Sequence, residues 1–150
     1  MAPDREARLS HAEPGGGQPM TTQNATIATV PRARLRAFIL LLGSLLGAAG
    51  VMLAAAATHT GETYMLGNAS AMALAHAPVL IALHIGADRI RTAIPAGLIL
   101  GLGTAIFAGD LVIRHFSGHS LFPYAAPLGG IGMIAGWLVL CAGAFLKPKG

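Results

Sequence analysis

Four long apolar runs follow residue 36, and they limit the folds open to this chain more than any other feature does. Each run approaches the ~20 residues that a helix needs to cross ~30 Å of hydrocarbon. Membrane β-barrels instead show short segments of alternating hydrophobicity. The sequence therefore predicts four transmembrane helices, antiparallel to their neighbours because the loops are short: Ala37–Ala57, Ala69–Ala87, Ala93–Ile113 and Ala125–Leu146.

The charge content supports a membrane protein. Charged residues make up 11% of the chain and hydrophobic residues 54%, whereas a soluble domain carries about 25% charged residues. The net charge of +4 does not indicate nucleic acid as a partner, because the basic residues flank the apolar runs instead of forming one patch. We expect an all-α integral membrane four-helix bundle whose main partner is the lipid bilayer.

The first 36 residues differ from the rest. They are rich in proline, glycine and small polar residues and hold few large apolar ones, so they cannot bury enough surface to offset chain entropy. We predict a disordered cytoplasmic tail over 1–36, a helical domain over 37–146 and a short cytoplasmic tail over 147–150. Met1 and Met20 both fit as the first residue. The first apolar run exceeds the 7–15 residues of a signal-peptide core, which favours a retained helix.

Basic residues predict the orientation. The chain has 10 lysines and arginines, and all except Arg114 precede the first run, lie between the second and third, or follow the fourth. Cytoplasmic loops carry the excess of Lys and Arg. Both termini are therefore expected in the cytoplasm, and the protein in the inner (plasma) membrane.

Glycines spaced one helical turn apart predict where the helices pack. Glycine lets helix backbones approach closely in lipid, where packing drives association. We expect such contacts at three pairs: Gly43 and Gly47, Gly97 and Gly101, and Gly132 and Gly136. Cys141, the only cysteine, is expected to be a small buried side chain, with reversible acylation as the alternative.

Ionisable groups in the apolar runs are the candidate site, since such groups are costly in hydrocarbon and usually face a bundle interior. With the predicted topology, His59, His76 and Asp110 should converge in the outer half of the membrane. Arg114 follows Asp110 at i, i+4 and can pair with it. This candidate intramembrane polar cluster has two interpretations: structural ties between helices, which we favour, or a pocket for a proton, metal ion or small polar solute.

Other chemistry finds little support. No nucleophile–base pair is visible, so we predict no catalytic residues and no enzyme. The stretch Gly130–Ala135 matches the letters of a dinucleotide fingerprint but lies inside an apolar helix, which indicates packing. His115 and His119 have metal-ligand spacing only if helical, and Gly118 favours a loop. We therefore predict no metal site and no cofactor.

The second half of the chain resembles a known family. Ile106–Leu111 resembles a segment written LFSGSL, and Ala126–Gly130 followed by Ala135–Trp137 resembles the signature TPxGG…AGW. More loosely, Ala75–Leu80 resembles YHALALL, and Thr58-His59 resembles GAH. These are motifs of the domain of unknown function 423 family, and the resemblance extends over roughly residues 37–146.

This sequence departs from the family pattern at several positions. Ala75 stands where an aromatic residue is usual, Pro78 where leucine is usual, and Asp110 replaces a small hydroxyl residue. The resemblance implies four transmembrane helices and no particular activity. We expect a multi-pass membrane protein with a non-enzymatic structural or accessory role, bound to another membrane protein or to itself. The alternative is a small transporter or a proton- or metal-ion-binding protein that uses the polar cluster.

Overall fold

Four α-helices make up the protein in the computed structural model, which describes the backbone of residues 21–146 and the side chains of residues 31–146. No strand occurs in this part of the chain, and the predicted all-α fold is confirmed. The helices are α1, Thr21–Thr60; α2, Met65–Gly86; α3, Ala93–Ser117; and α4, Ala125–Ala142, which continues into a 3-10 turn, Gly143–Phe145.

All four helices contain a segment long and apolar enough to cross a membrane. At about 1.5 Å per residue, α2 alone is roughly 33 Å long, which matches the hydrocarbon thickness. Four crossings put both ends of the helical domain on the same face. The spanning segments are Pro31–Thr60, Met65–Gly86, Ala93–Ser117 and Ala125–Phe145.

The helix ends correct the sequence-based boundaries. Helix α1 begins at Thr21, within the segment 1–36 that we predicted to be a tail, and the predicted boundary at residue 36 stays a prediction. Residues 1–20 and 147–150 lie outside the described part of the chain. Helix α2 begins at Met65 instead of Ala69, and α3 continues to Ser117. Hydropathy marks the stretch that lies in lipid, whereas backbone hydrogen bonding continues a helix into its polar flanks.

Consecutive helices pack against each other, and α3 occupies the central position. It contacts α2 and α4 along its length and also touches α1. Half of the most apolar segment of α3 is buried, whereas only 17% of the corresponding segment of α4 is buried. Helix α4 packs mainly on α3. Residues from all four helices form the core, including Ile39, Leu46, Leu80, Leu83, Leu100 and Met133.

Glycines line the helix contacts, as the spacing predicted. A Cβ atom on Gly97 would lie 3.0 Å from Cδ1 of Ile39, and one on Gly136 would lie 2.5 Å from Cγ of Leu100. The tightest backbone approach joins α3 to α4, where a Cβ on Gly129 would lie 2.6 Å from the amide nitrogen of Phe107. The prediction for Cys141 is wrong, since this side chain is exposed on α4.

Candidate intramembrane polar site

His76 lies in the middle of α2 and is buried, with 8% of its surface exposed. Because α2 begins at Met65, His76 is roughly 16 Å from the start of the helix at about 1.5 Å per residue. Its Nδ1 lies 2.8 Å from the carbonyl oxygen of Met72. The indole Nε1 of Trp137 on α4 donates to its Nε2 at 3.3 Å.

These two partners determine the protonation of the imidazole. A carbonyl oxygen only accepts hydrogen bonds, so Nδ1 must carry the hydrogen; an indole only donates, so Nε2 must offer a lone pair. His76 is therefore the neutral Nδ1–H tautomer with both nitrogens in use. A second proton or a metal ion on Nε2 would first have to displace Trp137.

Trp137 is unusual in its depth. Tryptophan is enriched at membrane interfaces, yet this residue lies roughly 18 Å from the start of α4, close to the depth of His76. An indole N–H without a partner at that depth would be costly. Helices α2 and α4 do not pack extensively along their described backbones, so the His76–Trp137 bond links two helices that are otherwise joined through α3.

Asp110 is fully buried near the end of α3 that is predicted to face outward. Its Oδ2 accepts the Nε–H of Arg114 at 2.7 Å, the ion pair expected from their spacing. Its Oδ1 accepts the backbone N–H of Leu121 at 2.7 Å, and the backbone of Ala126 lies close enough to interact with the carboxylate.

These bonds make Asp110 a cap for α4. Ala126 belongs to the first turn of that helix, and Tyr124 at the N-cap position provides no side-chain hydrogen bond. A carboxylate at a helix N-terminus satisfies unpaired amides and interacts favourably with the helix dipole. Asp110 therefore ties the outer loop and the start of α4 to α3.

The predicted cluster divides into separate groups. Asp110 and Arg114 are joined, whereas His76 bonds to Met72 and Trp137. His59 lies in the last turn of α1 and is exposed, and no hydrogen bond among residues 31–146 links it to the others. In the same part of the chain, no three His, Cys, Asp or Glu residues are arranged to hold a metal ion.

A second polar group, which the sequence did not reveal, lies at the end of the bundle that is predicted to face the cytoplasm. Arg36 Nη1 contacts both carboxylate oxygens of Asp88 at 2.8 Å. His84 Nδ1 lies 2.9 Å from the carbonyl oxygen of Arg36. Together these bonds join the inner ends of α1 and α2. The sequence does place opposite charges, Arg36 and Asp88, near the same end of neighbouring helices. It does not show that these two side chains face each other.

Two buried hydroxyl residues were also missed. Ser70 on α2 donates to the carbonyl oxygen of Gly50 on α1 at 2.7 Å, and Thr104 donates to Leu100 within α3 at 2.8 Å. Small hydroxyl residues in transmembrane helices commonly bond in this way. Because both residues are small and uncharged, they do not interrupt the apolar runs, and nothing in the sequence singled them out.

A groove lies at the end of the bundle that is predicted to face outward. It lies between the start of α2, the end of α3 and the start of α4, and its volume is ≈ 360 Å³. Arg114, which is bonded through Nε to Asp110, forms the charged part of its wall. The remaining lining residues are Tyr64, Met65, Asn68, Phe107, Leu111, Ala126 and Pro127.

The fold and the paired polar groups define a class: a small multi-pass helical membrane protein whose intramembrane polar side chains bond within the chain. The chain belongs to the family described as Protein of unknown function (DUF423), whose model matches residues 46–130, more than half of its length. This confirms the family resemblance. The description of the family gives no sign of an enzymatic activity.

Inner membrane proteins are among its relatives. The inner membrane protein YgdD is 38% identical over 56 residues in Escherichia coli K12, in Escherichia coli O157:H7 and in Shigella flexneri. The matched segment covers 37% of this chain and 43% of each relative. No solved structure matches the chain. With its four membrane-spanning helices, the chain is a multi-pass protein of the inner membrane.

Proposed function

We propose that this protein has a non-enzymatic structural or accessory role in the inner membrane. The proposal rests on His76, whose capacity for hydrogen bonding is fully used within the chain. Both ring nitrogens are engaged by partners within the chain, Met72 and Trp137. The imidazole therefore acts as a tie between helices, and its lone pair is not offered to a solute.

The other buried polar side chains support the same role. Ser70 and Thr104 donate to carbonyl oxygens, and Asp110 is surrounded by donors from Arg114 and the outer loop. Buried polar networks that are fully satisfied rigidify a structure. A transport pathway or a catalytic centre needs polar groups that can exchange partners, so this pattern favours a rigid scaffold that acts through another protein.

The alternative is a small transporter or ion-binding protein. The groove beside Arg114 is the observation in its favour, because it lies next to the Asp110 ion pair. Such a protein would have to open the His76–Trp137 bond to extend this groove inward. We regard this as the second candidate.

The test combines partner capture with a flux measurement. A chain carrying a photo-crosslinking residue at the exposed Leu138 of α4 is irradiated in native membranes, and the products are identified by mass spectrometry. We expect one reproducible partner, or a second copy of the chain, and a captured protein should lose abundance or activity in a deletion strain.

The flux measurement uses proteoliposomes loaded with a pH indicator or a metal-ion indicator. The accessory role predicts no flux above that of empty liposomes. Proton or metal-ion flux that disappears in His76→Leu, while the variant remains folded, would overturn the accessory role and establish the alternative.

A further inference from the structure

The groove between the start of α2, the end of α3 and the start of α4, which we call the Arg114 groove, has a polar end and an apolar end. Its volume is ≈ 360 Å³. On α3, Phe107, Leu111 and Arg114 share the helix face that lines it. At about 1.5 Å per residue, Phe107 lies roughly 10 Å from Arg114 along the helix axis. The groove therefore runs from a charged residue near the helix end into the apolar part of the bundle.

Part of the Arg114 guanidinium remains available in this groove. Its Nε donates to Oδ2 of Asp110 at 2.7 Å, and 40% of the Arg114 side chain is exposed. Neither Nη group donates a hydrogen bond to any residue in 31–146. The bond through Nε orients the guanidinium and leaves the two Nη groups as a fork, which matches two oxygens of a phosphate group.

The α2 side of the groove offers hydrogen-bond acceptors. Asn68 Nδ2 donates to the carbonyl oxygen of Tyr64 at 2.7 Å. Because a carbonyl oxygen only accepts, the side-chain amide must present its nitrogen there, and its Oδ1 stays available as an acceptor. Tyr64, which is 75% exposed, adds a phenol hydroxyl. Donors on α3 thus share the groove with acceptors at the start of α2.

The charge balance favours a zwitterion over a simple anion. Asp110 is fully buried beside Arg114 and neutralises it. A phosphate group bound to Arg114 alone would therefore add an uncompensated negative charge. A headgroup that also carries a primary ammonium supplies its own positive charge, and the ammonium N–H groups can donate to Asn68 and Tyr64.

The apolar end favours a lipid over a soluble molecule with the same polar groups. It is formed by residues that all lie within the membrane-spanning segments: Met65, Phe107, Leu111 and Pro127. Helices α2 and α4 do not pack extensively along their described backbones, and the His76–Trp137 bond joins them roughly 12 Å further along α2 than Asn68. An acyl chain can follow this apolar path, whereas a soluble headgroup would use only the polar end.

We propose that the Arg114 groove binds a phospholipid of the adjacent leaflet whose headgroup ends in a primary ammonium. The phosphate lies on the Nη groups of Arg114, the ammonium on Asn68, and an acyl chain along Phe107 and Leu111. Phosphatidylethanolamine has this chemistry. The site does not depend on the accessory role, because this chain alone builds the groove.

The experiment is native mass spectrometry of the full chain in detergent with phosphatidylethanolamine, phosphatidylcholine or phosphatidylglycerol of the same acyl chains. We expect one bound phosphatidylethanolamine, held at least about tenfold more tightly than phosphatidylcholine, whose quaternary ammonium has no N–H to donate. Equal or tighter binding of phosphatidylcholine would overturn the ammonium contact with Asn68. Tighter binding of phosphatidylglycerol would show that net charge governs binding and overturn the zwitterion. Displacement of the lipid by glycerophosphoethanolamine at equal concentration would overturn the lipid as occupant.

Two variants test the polar contacts. Arg114→Lys keeps a positive charge beside Asp110 but removes the fork, and should weaken phosphatidylethanolamine binding at least about tenfold. The matched control is Arg34→Lys, at an exposed position of α1 outside the groove, which should leave binding unchanged; equal losses in the two variants would overturn the site. Asn68→Leu should abolish the preference over phosphatidylcholine, and a preference that persists would overturn the role of Asn68.

A third pair of variants keeps these polar groups and blocks the space. Pro127→Trp, at an exposed position that lines the groove, should abolish binding. Leu128→Trp adds the same side chain at the next residue, which is exposed and does not line the groove, and should bind normally. This pair tests the proposal even if Arg114→Lys does not fold. Undiminished binding in Pro127→Trp, or an equal loss in Leu128→Trp, would overturn the groove as the site.

Discussion

His76 and Trp137 show how two costly groups can stabilise a membrane protein as a pair. Each would have an unsatisfied polar atom in hydrocarbon if its partner were absent. Their bond joins α2 to α4 at mid-membrane. Interhelical hydrogen bonds of this kind contribute about 0.6 kcal/mol on average and up to about 1.7 kcal/mol in measured cases.

The first prediction concerns this bond. His76→Leu should lower the free energy of unfolding in detergent by about 1–3 kcal/mol, because the indole N–H of Trp137 is left without a partner. A double-mutant cycle with Trp137→Phe isolates the pair. We expect the double variant to be more stable than the sum of the single losses implies. Strict additivity would mean that the bond contributes nothing to stability.

The second prediction concerns Asp110. Asp110→Ala should reduce stability by about 3 kcal/mol, because it leaves the amide of Leu121 unpaired and removes the charge opposite Arg114. Asp110→Asn should lose less, since its amide oxygen can still accept from Leu121. Hydrogen exchange should show faster amide exchange at Leu121 and Ala126 in the alanine variant than in the asparagine variant. Equal exchange in the two variants would contradict the capping role.

At the scale of elements, the α3–α4 interface depends on backbone contact. Gly103 of α3 lies directly against the backbone of α4. A Cβ atom on Gly103 would lie 2.8 Å from the amide nitrogen of Met133 and 2.9 Å from the carbonyl oxygen of Gly129. The stripe of α4 that meets α3 consists of Ala125, Gly129, Met133 and Gly136. All four positions are spaced three or four residues apart, so one face of α4 carries nearly all of its packing.

The third prediction tests this interface with adjacent glycines. Gly129→Ala should reduce stability by about 1–3 kcal/mol, because its methyl group must displace the backbone of α3. Gly130→Ala is the matched control, since no atom lies within 4 Å of a Cβ built there. Alanine favours a helix over glycine by up to about 1 kcal/mol, so the control should be neutral or stabilising. Thermal unfolding in detergent measures both, and a loss of equal size in the control would contradict the interface.

At the scale of the whole molecule, the unequal distribution of basic residues predicts that both termini face the cytoplasm. Gly61 and Gly118 in the outer loops have φ of 73° and 76°, a conformation that other residues adopt at a cost. Thr63 and His119 are exposed neighbours in the same loops. They are therefore better positions for reporter cysteines.

The fourth prediction uses these positions in a Cys141→Ala background, because Cys141 is itself exposed. Thr63→Cys and His119→Cys should react with a membrane-impermeant thiol reagent added to intact cells, whereas Arg89→Cys should react only after permeabilisation. If only Arg89→Cys reacts in intact cells, the orientation is the opposite of the predicted one.

Much of this architecture could be predicted from the sequence. Hydrophobic runs of membrane-spanning length determine the number of helices, since a backbone in hydrocarbon must satisfy its hydrogen bonds internally. The distribution of basic residues predicts an orientation, and glycine spacing located the close helix contacts. The start of α1 was missed because a helix can extend beyond the lipid into sequence of any hydropathy.

The partners of the polar groups depended on the tertiary structure. Depth along a helix follows from residue number, but the direction of each side chain depends on how the helices rotate and pack. Three residues expected in one cluster therefore separated: His76 meets Trp137, Asp110 caps α4, and His59 is exposed. Pairing across 61 and 52 residues, as in His76–Trp137 and Arg36–Asp88, is decided by packing alone, because no local spacing connects such distant parts of the chain.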